Sequence, residues 1–331
     1  MAAVVVDEEF ISRVLAGDRR SVAKALTLVE GKQTGWQVLL QATFPKAGRA
    51  FVVGLTGSPG AGKSTLVAAL SQNLLRQGKK VAVLAVDPSS PFTGGALLGD
   101  RARLRGGEAD PGFFFRSLAS RGATGALSHA LADCIQILDA AGWDLILVET
   151  VGAGQAEVAI RQQSDITLVV LTHDMGDEIQ AAKAGILEIA DAFVLNKHDL
   201  PGSERTLRFL RDEFPEKPIF PTVASQARGV EDLVLYLAEQ NATRGRRKRQ
   251  RIEERAENLI VQALQDWVTD NVRERARQLG YWQTGIERVR CGEQTVDRVA
   301  KELIAACLVH LITEKPGGDP DRGHKSDQIT E

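Results

Sequence analysis

Two short stretches of this chain carry residue types that can do chemistry together. Gly57-Ser58-Pro59-Gly60-Ala61-Gly62-Lys63-Ser64 fits the spacing G-x-x-x-x-G-K-[ST]. Glycines there let backbone N–H groups turn inward around phosphate oxygens, and a following helix N-terminus adds partial positive charge. Lys63 has the reach to meet β- and γ-phosphates, and the Ser64 hydroxyl is a magnesium ligand type. Gly57 to Thr65 are therefore the candidate phosphate-binding residues. The second stretch, Asn196-Lys197-His198-Asp199, matches N-K-x-D. A carboxylate at Asp199 can accept from both N1–H and the exocyclic amine of guanine, whereas adenine presents no such donor pair. Asn196 is expected to support the loop and contact N7, with the Lys197 stem over the base face. In this chain order the two stretches imply hydrolysis of GTP.

Further acids fall where an open parallel sheet binds ligands. Asp87 ends the apolar run Val81 to Val86, and Glu149 ends Leu145 to Val148. Asp100 follows the Gly-containing Thr93-Gly94-Gly95, on a segment that could fold over a γ-phosphate. With Ser64, these are the expected magnesium ligands, since that ion takes hard oxygen donors. Glu149-x-x-Gly152 stands where small GTPases carry D-x-x-G, and Ala153 takes the place of the water-positioning glutamine. Gln155 is either a substitute for it or a helix-start residue. The expected catalytic set is Lys63, Glu149, Asp100 and Gln155, with slow turnover that a partner accelerates. In Pro221-Thr222-Val223-Ala224-Ser225, Val223-Ala224 replaces the Ser-Ala pair whose backbone amide usually meets guanine O6. A backbone contact at Ala224 survives that change.

The elements that must position these residues are legible as patterns. Short apolar runs at 51–56, 81–86, 145–148, 166–171, 193–195 and 218–224 alternate with helical stretches, and Phe113-Phe114-Phe115 is a candidate further strand. The fold class is α/β, a P-loop NTPase with a mostly parallel sheet flanked by N-terminal and C-terminal helical segments. The expected organisation is an N-terminal helical segment over 1–46, a nucleotide-binding domain over 47–242, a helical arm over 243–315 and a disordered polar tail over 316–331. Within the arm, 252–279 and 296–312 read as amphipathic helices.

Composition sets the outer limits. A formal charge of -2 with 25% charged residues gives no global pull toward nucleic acid or anionic membrane. Arg244, Arg246, Arg247, Lys248 and Arg249 form a local basic run, read as a solvated helix face or linker. Cys134, Cys291 and Cys307 are too scattered for a disulfide framework or zinc site. The early acids Asp7, Glu8 and Glu9 are unlike a secretory signal, and no apolar run is long enough to span a membrane. A cytoplasmic location follows as the expectation.

Several further stretches carry a resemblance. Asp87-Pro88-Ser89-Ser90, Leu98-Gly99-Asp100, Arg116-Ser117-Leu118-Ala119-Ser120-Arg121-Gly122, Glu149-Thr150-Val151-Gly152 and Asp177 to Ile186 resemble the MeaB-type GTPases, G-protein chaperones of methylmalonyl-CoA mutase. The resemblance implies GTP-driven protection of an adenosylcobalamin-dependent acyl-CoA mutase and gating of its cofactor loading. It also implies a homodimer held by the C-terminal arm, and a switch segment from Asp174 through Asp177 to Lys183, the last relaying the signal. A nickel-insertion GTPase would want a His-rich tract or paired cysteines, yet the five histidines are scattered. An ATP-using P-loop kinase is opposed by N-K-x-D, and a nucleic-acid-linked GTPase would rest on the basic run alone.

Overall fold

The computed structural model describes residues 4–87, 110–119, 124–150, 156–173, 187–243 and 245–313. They divide into two compact units, 1–255 and 256–331. The first is built on seven parallel strands: β1 (Phe51–Gly57), β2 (Val81–Asp87), β3 (Phe113–Ala119), β4 (Leu145–Thr150), β5 (Ile166–Leu171), β6 (Ala192–Leu195) and β7 (Ile219–Pro221). Their spatial order is β3-β2-β4-β1-β5-β6-β7. The candidate strand at Phe113 is thus real and forms one edge. The last strand is shorter than its apolar run suggests, because beyond Pro221 the chain turns into a short 3-10 segment at Ala224–Gln226.

The central strands read as unbroken apolar runs because both of their faces are buried. Successive residues alternate between two cores. On β1, Val52 faces a core shared with α1 (Glu8–Leu15), α2 (Arg19–Glu30), α3 (Trp36–Thr43) and α5 (Thr124–Ala140). Phe51, Val53 and Leu55 face the other core, filled by α4 (Lys63–Arg76) and α8 (Val230–Thr243). Between these last two in the chain run α6 (Ala156–Gln163) and α7 (Ser203–Glu213), with Leu207 and Leu210 of α7 closing a smaller cluster on β5 and β6. The N-terminal helices therefore share a core with the sheet: Phe10, Val14, Val22 and Leu26 are buried in it.

The amino-terminal edge of the sheet is tied by side chains. Asp144 donates its N–H to Lys80 O (3.0 Å) and accepts from Lys80 N–H (2.8 Å). Asp165 makes the same reciprocal pair with Val52 (2.8 and 2.9 Å), and Asp191 with Thr167 (2.9 and 2.8 Å). Each aspartate directly precedes its own strand and clips it to the neighbouring one, satisfying an amide at the point where the ladder starts. Asp139, at the end of α5, accepts from the amides of Gly48 (2.6 Å), Arg49 (3.0 Å) and Ala50 (2.9 Å) and so fixes the entry into β1.

One acid on α5 works against stability once it is ionised. Burial of Asp133 on α5 pushes its carboxyl up to about 6, with Lys32 pulling the other way. The native state therefore holds this proton over a pH range in which the unfolded chain has lost it. The contribution of this one group to stability is most favourable below the unfolded value near 3.8 and is lost as pH rises through about 6. Asp133→Asn removes that cost, so the variant is expected to be about 1–3 kcal/mol more stable than the parent at pH 8. At pH 4 the difference should vanish. Urea unfolding of both proteins at the two pH values measures this.

The second unit is helical. Helix α9 (Gly245–Gln278) begins in the basic run, within the first unit, and its residues from 256 on belong to the second with α10 (Tyr281–Arg290) and α11 (Val296–Thr313). Val272, Ala276 and Cys307 are its buried centre, with Trp282 and Leu303 against them. Helix α10 is absent from the pattern-based reading, its start marked by Gly280 in the left-handed region (φ 76°).

Candidate nucleotide site

The candidate residues that the structure describes lie at the carboxyl ends of the parallel strands. Strand β1 delivers the Gly57–Ser64 loop, and α4 begins at Lys63 with its first turn open toward that loop. Two of the glycines are required sterically. Gly57 has φ 137°, and a Cβ there would run into the carbonyl of Val170 on β5. Gly62 has φ 86°, and a Cβ there would meet the side-chain amide of Asn196. Such backbone is accessible at little cost only to glycine. Lys63 is buried, and its ammonium donates to Gly57 O (2.7 Å) and Ser58 O (3.1 Å), which holds the cation over the loop. Ser58, Gly62, Ser64 and Thr65 are half-buried, while Pro59 and Gly60 are exposed at the loop tip.

Asn196 joins the two motifs. Its Nδ2 donates to Ala61 O in the phosphate loop (2.9 Å), and its Oδ1 accepts from Thr222 Oγ1 (3.2 Å) and from the Ala224 amide (3.0 Å). One buried side chain thus connects three segments: the loop after β1, the turn after β6 and the turn after β7. The N-K-x-D turn itself is held by backbone bonds, Asn196 N–H to Leu171 O (2.8 Å) and His198 N–H to Thr222 O (3.0 Å). Ser203 Oγ donates to the carbonyls of His198 and Leu200. Lys197 sits at φ 56°, uncommon for a side chain with a Cβ, and leaves both Lys197 and Asp199 exposed.

The turn after β7 adds two details. The Ala224 amide, expected at guanine O6, here donates to Asn196 Oδ1, so its first service is to orient the asparagine. Thr222 was given no role in the sequence, yet its hydroxyl is part of the same junction. Its position two residues before Ala224 was the available signal. Val223 is buried and pairs with Arg228 across the turn.

Glu149 is fully buried near the end of β4, in register with Leu55 of β1 and Ala85 of β2. Next to it, Thr150 Oγ1 donates to Thr56 Oγ1 (3.4 Å). Asp87 is the final residue of β2. Serine hydroxyl and carboxylate oxygens form a donor set that suits magnesium, which is held by a few protein oxygens together with waters and phosphates. Among the described residues no cluster of three or more His, Cys, Asp or Glu could hold a metal unaided. Asp100, Gln155, Asp174, Asp177 and Lys183 lie outside the described residues.

The family model described as methylmalonyl Co-A mutase-associated GTPase MeaB matches residues 22–277. The chain belongs to that family. Among MeaB relatives, a Pyrococcus horikoshii protein is 45% identical over 271 residues, spanning 77% of this chain and 86% of its own length. GTPase ArgK of Escherichia coli is 41% identical over 195 residues, 58% of this chain and 59% of ArgK. The fused isobutyryl-CoA mutase of Geobacillus kaustophilus is 36% identical over 244 residues, 67% of this chain but 22% of that protein. A crystal structure titled LAO/AO transport system kinase superimposes with a TM-score of 0.62 at 28% identity, covering 91% of this chain and 98% of that one. The MeaB assignment makes this chain a P-loop GTPase-family protein and accounts for both motifs at once.

Proposed function

We propose that this protein hydrolyses GTP with magnesium and acts as a chaperone for an adenosylcobalamin-dependent acyl-CoA mutase, gating its cofactor loading. The observation that carries the partner reading is the match to a stretch of the fused isobutyryl-CoA mutase. There, a segment similar to this chain is carried within a protein named as a mutase. Asn196 and Asp199 hold the guanine, Lys63 and the loop amides hold the β- and γ-phosphates, and Ser64 with Glu149 and Asp87 hold magnesium, which neutralises charge that develops on the phosphates. Asp100 and Gln155 remain the proposed residues near the hydrolytic water. The segment Asp174, Asp177 and Lys183 carries the nucleotide state to the mutase.

A homodimer belongs to the same reading. Ile260, Val261, Leu264 and Trp267 recur at helical spacing on α9 and are 60%, 47%, 57% and 53% exposed. A row of large apolar side chains so exposed supports a covering partner, and a second copy supplies one. No helix among the described residues is long and apolar enough to cross a membrane. A cytoplasmic setting with no nucleic-acid partner remains part of the proposal.

Two measurements test it. GTP turnover followed with and without candidate acyl-CoA mutases should rise on adding the true partner, and Lys183→Ala should keep the basal rate while losing most of the stimulation. A rate as fast alone as with every such mutase would remove the chaperone reading. Asp199→Asn, which replaces an acceptor oxygen with a donor, should weaken GTP about 10- to 100-fold, the loss of one charge-assisted bond of about 1.5–3 kcal/mol. Xanthosine triphosphate should gain correspondingly in calorimetric titration.

A further inference from the structure

We propose that the pole of the sheet opposite the phosphate loop holds a second ligand site, suited to a small phosphorylated molecule. A cavity of about 540 Å³ opens there, at the amino-terminal ends of the strands, and its size lies in the range of small-molecule pockets. Lys46, Arg49 and Lys79 line it from separate stretches of chain: the segment after α3, the entry to β1 and the entry to β2. The acids that share the lining are Asp139 and Asp144. Both are committed to backbone: Asp139 accepts three amides and Asp144 accepts the Lys80 amide. Three cations against two carboxylates leave the lining with a net charge of +1, which favours an anion.

Trp143 also lines the cavity, though it is only 4% exposed, its ring edge-on to Phe114 at 5.4 Å. The lining thus combines lysine and arginine charge with an aromatic residue. That pattern fits a phosphate head on an apolar body. Asn241 lines the cavity as well. Strand β1 spans seven residues, so this pole lies roughly 20 Å from the phosphate loop. A ligand here would act without touching the nucleotide.

Inorganic pyrophosphate is the probe, titrated by calorimetry into full-length protein kept saturated with GDP and without added metal. The expected result is one equivalent bound, weakening steeply with salt, with at least a tenfold loss in a Lys46→Ala, Lys79→Ala double variant whose GDP affinity is unchanged. That unchanged affinity also shows the variant to be folded. Pyrophosphate should alter tryptophan fluorescence in the parent and do so far less in Trp143→Phe. No binding beyond the GDP site, equal binding by the double variant, or preference for an acidic peptide such as polyglutamate over pyrophosphate would each overturn the proposal. Failure of GDP itself to bind would instead count against the nucleotide site.

Discussion

Lys63→Ala will lower GTP hydrolysis by about 10²–10³-fold or more, the scale on which removal of one preorganised charge-stabilising donor acts. The side chain is buried over the loop and held by Gly57 O and Ser58 O, so its position is set before any phosphate arrives. Truncation removes the cation but leaves the loop conformation to the glycines and the start of α4. Circular dichroism and the urea midpoint should therefore stay close to the parent. Lys63→Arg should not rescue, because a planar guanidinium does not fit a slot formed around a point charge. Single-turnover measurements at saturating GTP separate this loss from weakened binding. Hydrolysis at the parental rate in Lys63→Ala would remove the phosphate loop from the reaction.

The second large effect is expected at Asn196 and differs in kind. Asn196→Ala deletes the bonds to Ala61 O, Thr222 Oγ1 and the Ala224 amide, leaving buried backbone groups of two other segments without partners. At about 1–3 kcal/mol for each group so stranded, stability should fall by about 2–4 kcal/mol. GDP affinity should fall by at least about 100-fold, since the base turn and the phosphate loop lose their common strut. Asp199→Asn, by contrast, should change base preference with little effect on stability, because Asp199 is exposed. Gly62→Ala should resemble Asn196→Ala, as its added methyl displaces the same amide. Urea unfolding beside GDP and ADP titrations distinguishes the two patterns. An Asn196→Ala protein of parental stability and affinity would show that the strut is idle.

Much of this site is legible in the sequence because its parts are local. A phosphate loop needs a strand, glycines and a helix start in direct succession, and all are contiguous between Phe51 and Arg76. Buried parallel strands announce themselves as apolar runs, which is why β1, β2, β4 and β5 stand out. Side chains that act across the chain do not announce themselves. Asp144, Asp165 and Asp191 look like ordinary loop aspartates, and their partners lie 64, 113 and 24 residues away. Thr222 is equally silent, since its role exists only once β6 and β7 are side by side. The missed helix α10 sits between glycines and carries mostly polar residues, so its pattern is faint.

The strand-start aspartates carry a consequence for how the chain finds this arrangement. A parallel sheet offers no tight hairpin to set alignment, so each strand must locate its neighbour after a long excursion, and a slip of one residue would turn every apolar side chain to the wrong face. A carboxylate that accepts one particular amide, while its own N–H meets the same residue's carbonyl, accepts only one alignment. Three such recognitions, repeated from β2–β4 through β1–β5 to β5–β6, act as keyed joints. They key the pairing at the end of the sheet opposite the phosphate loop.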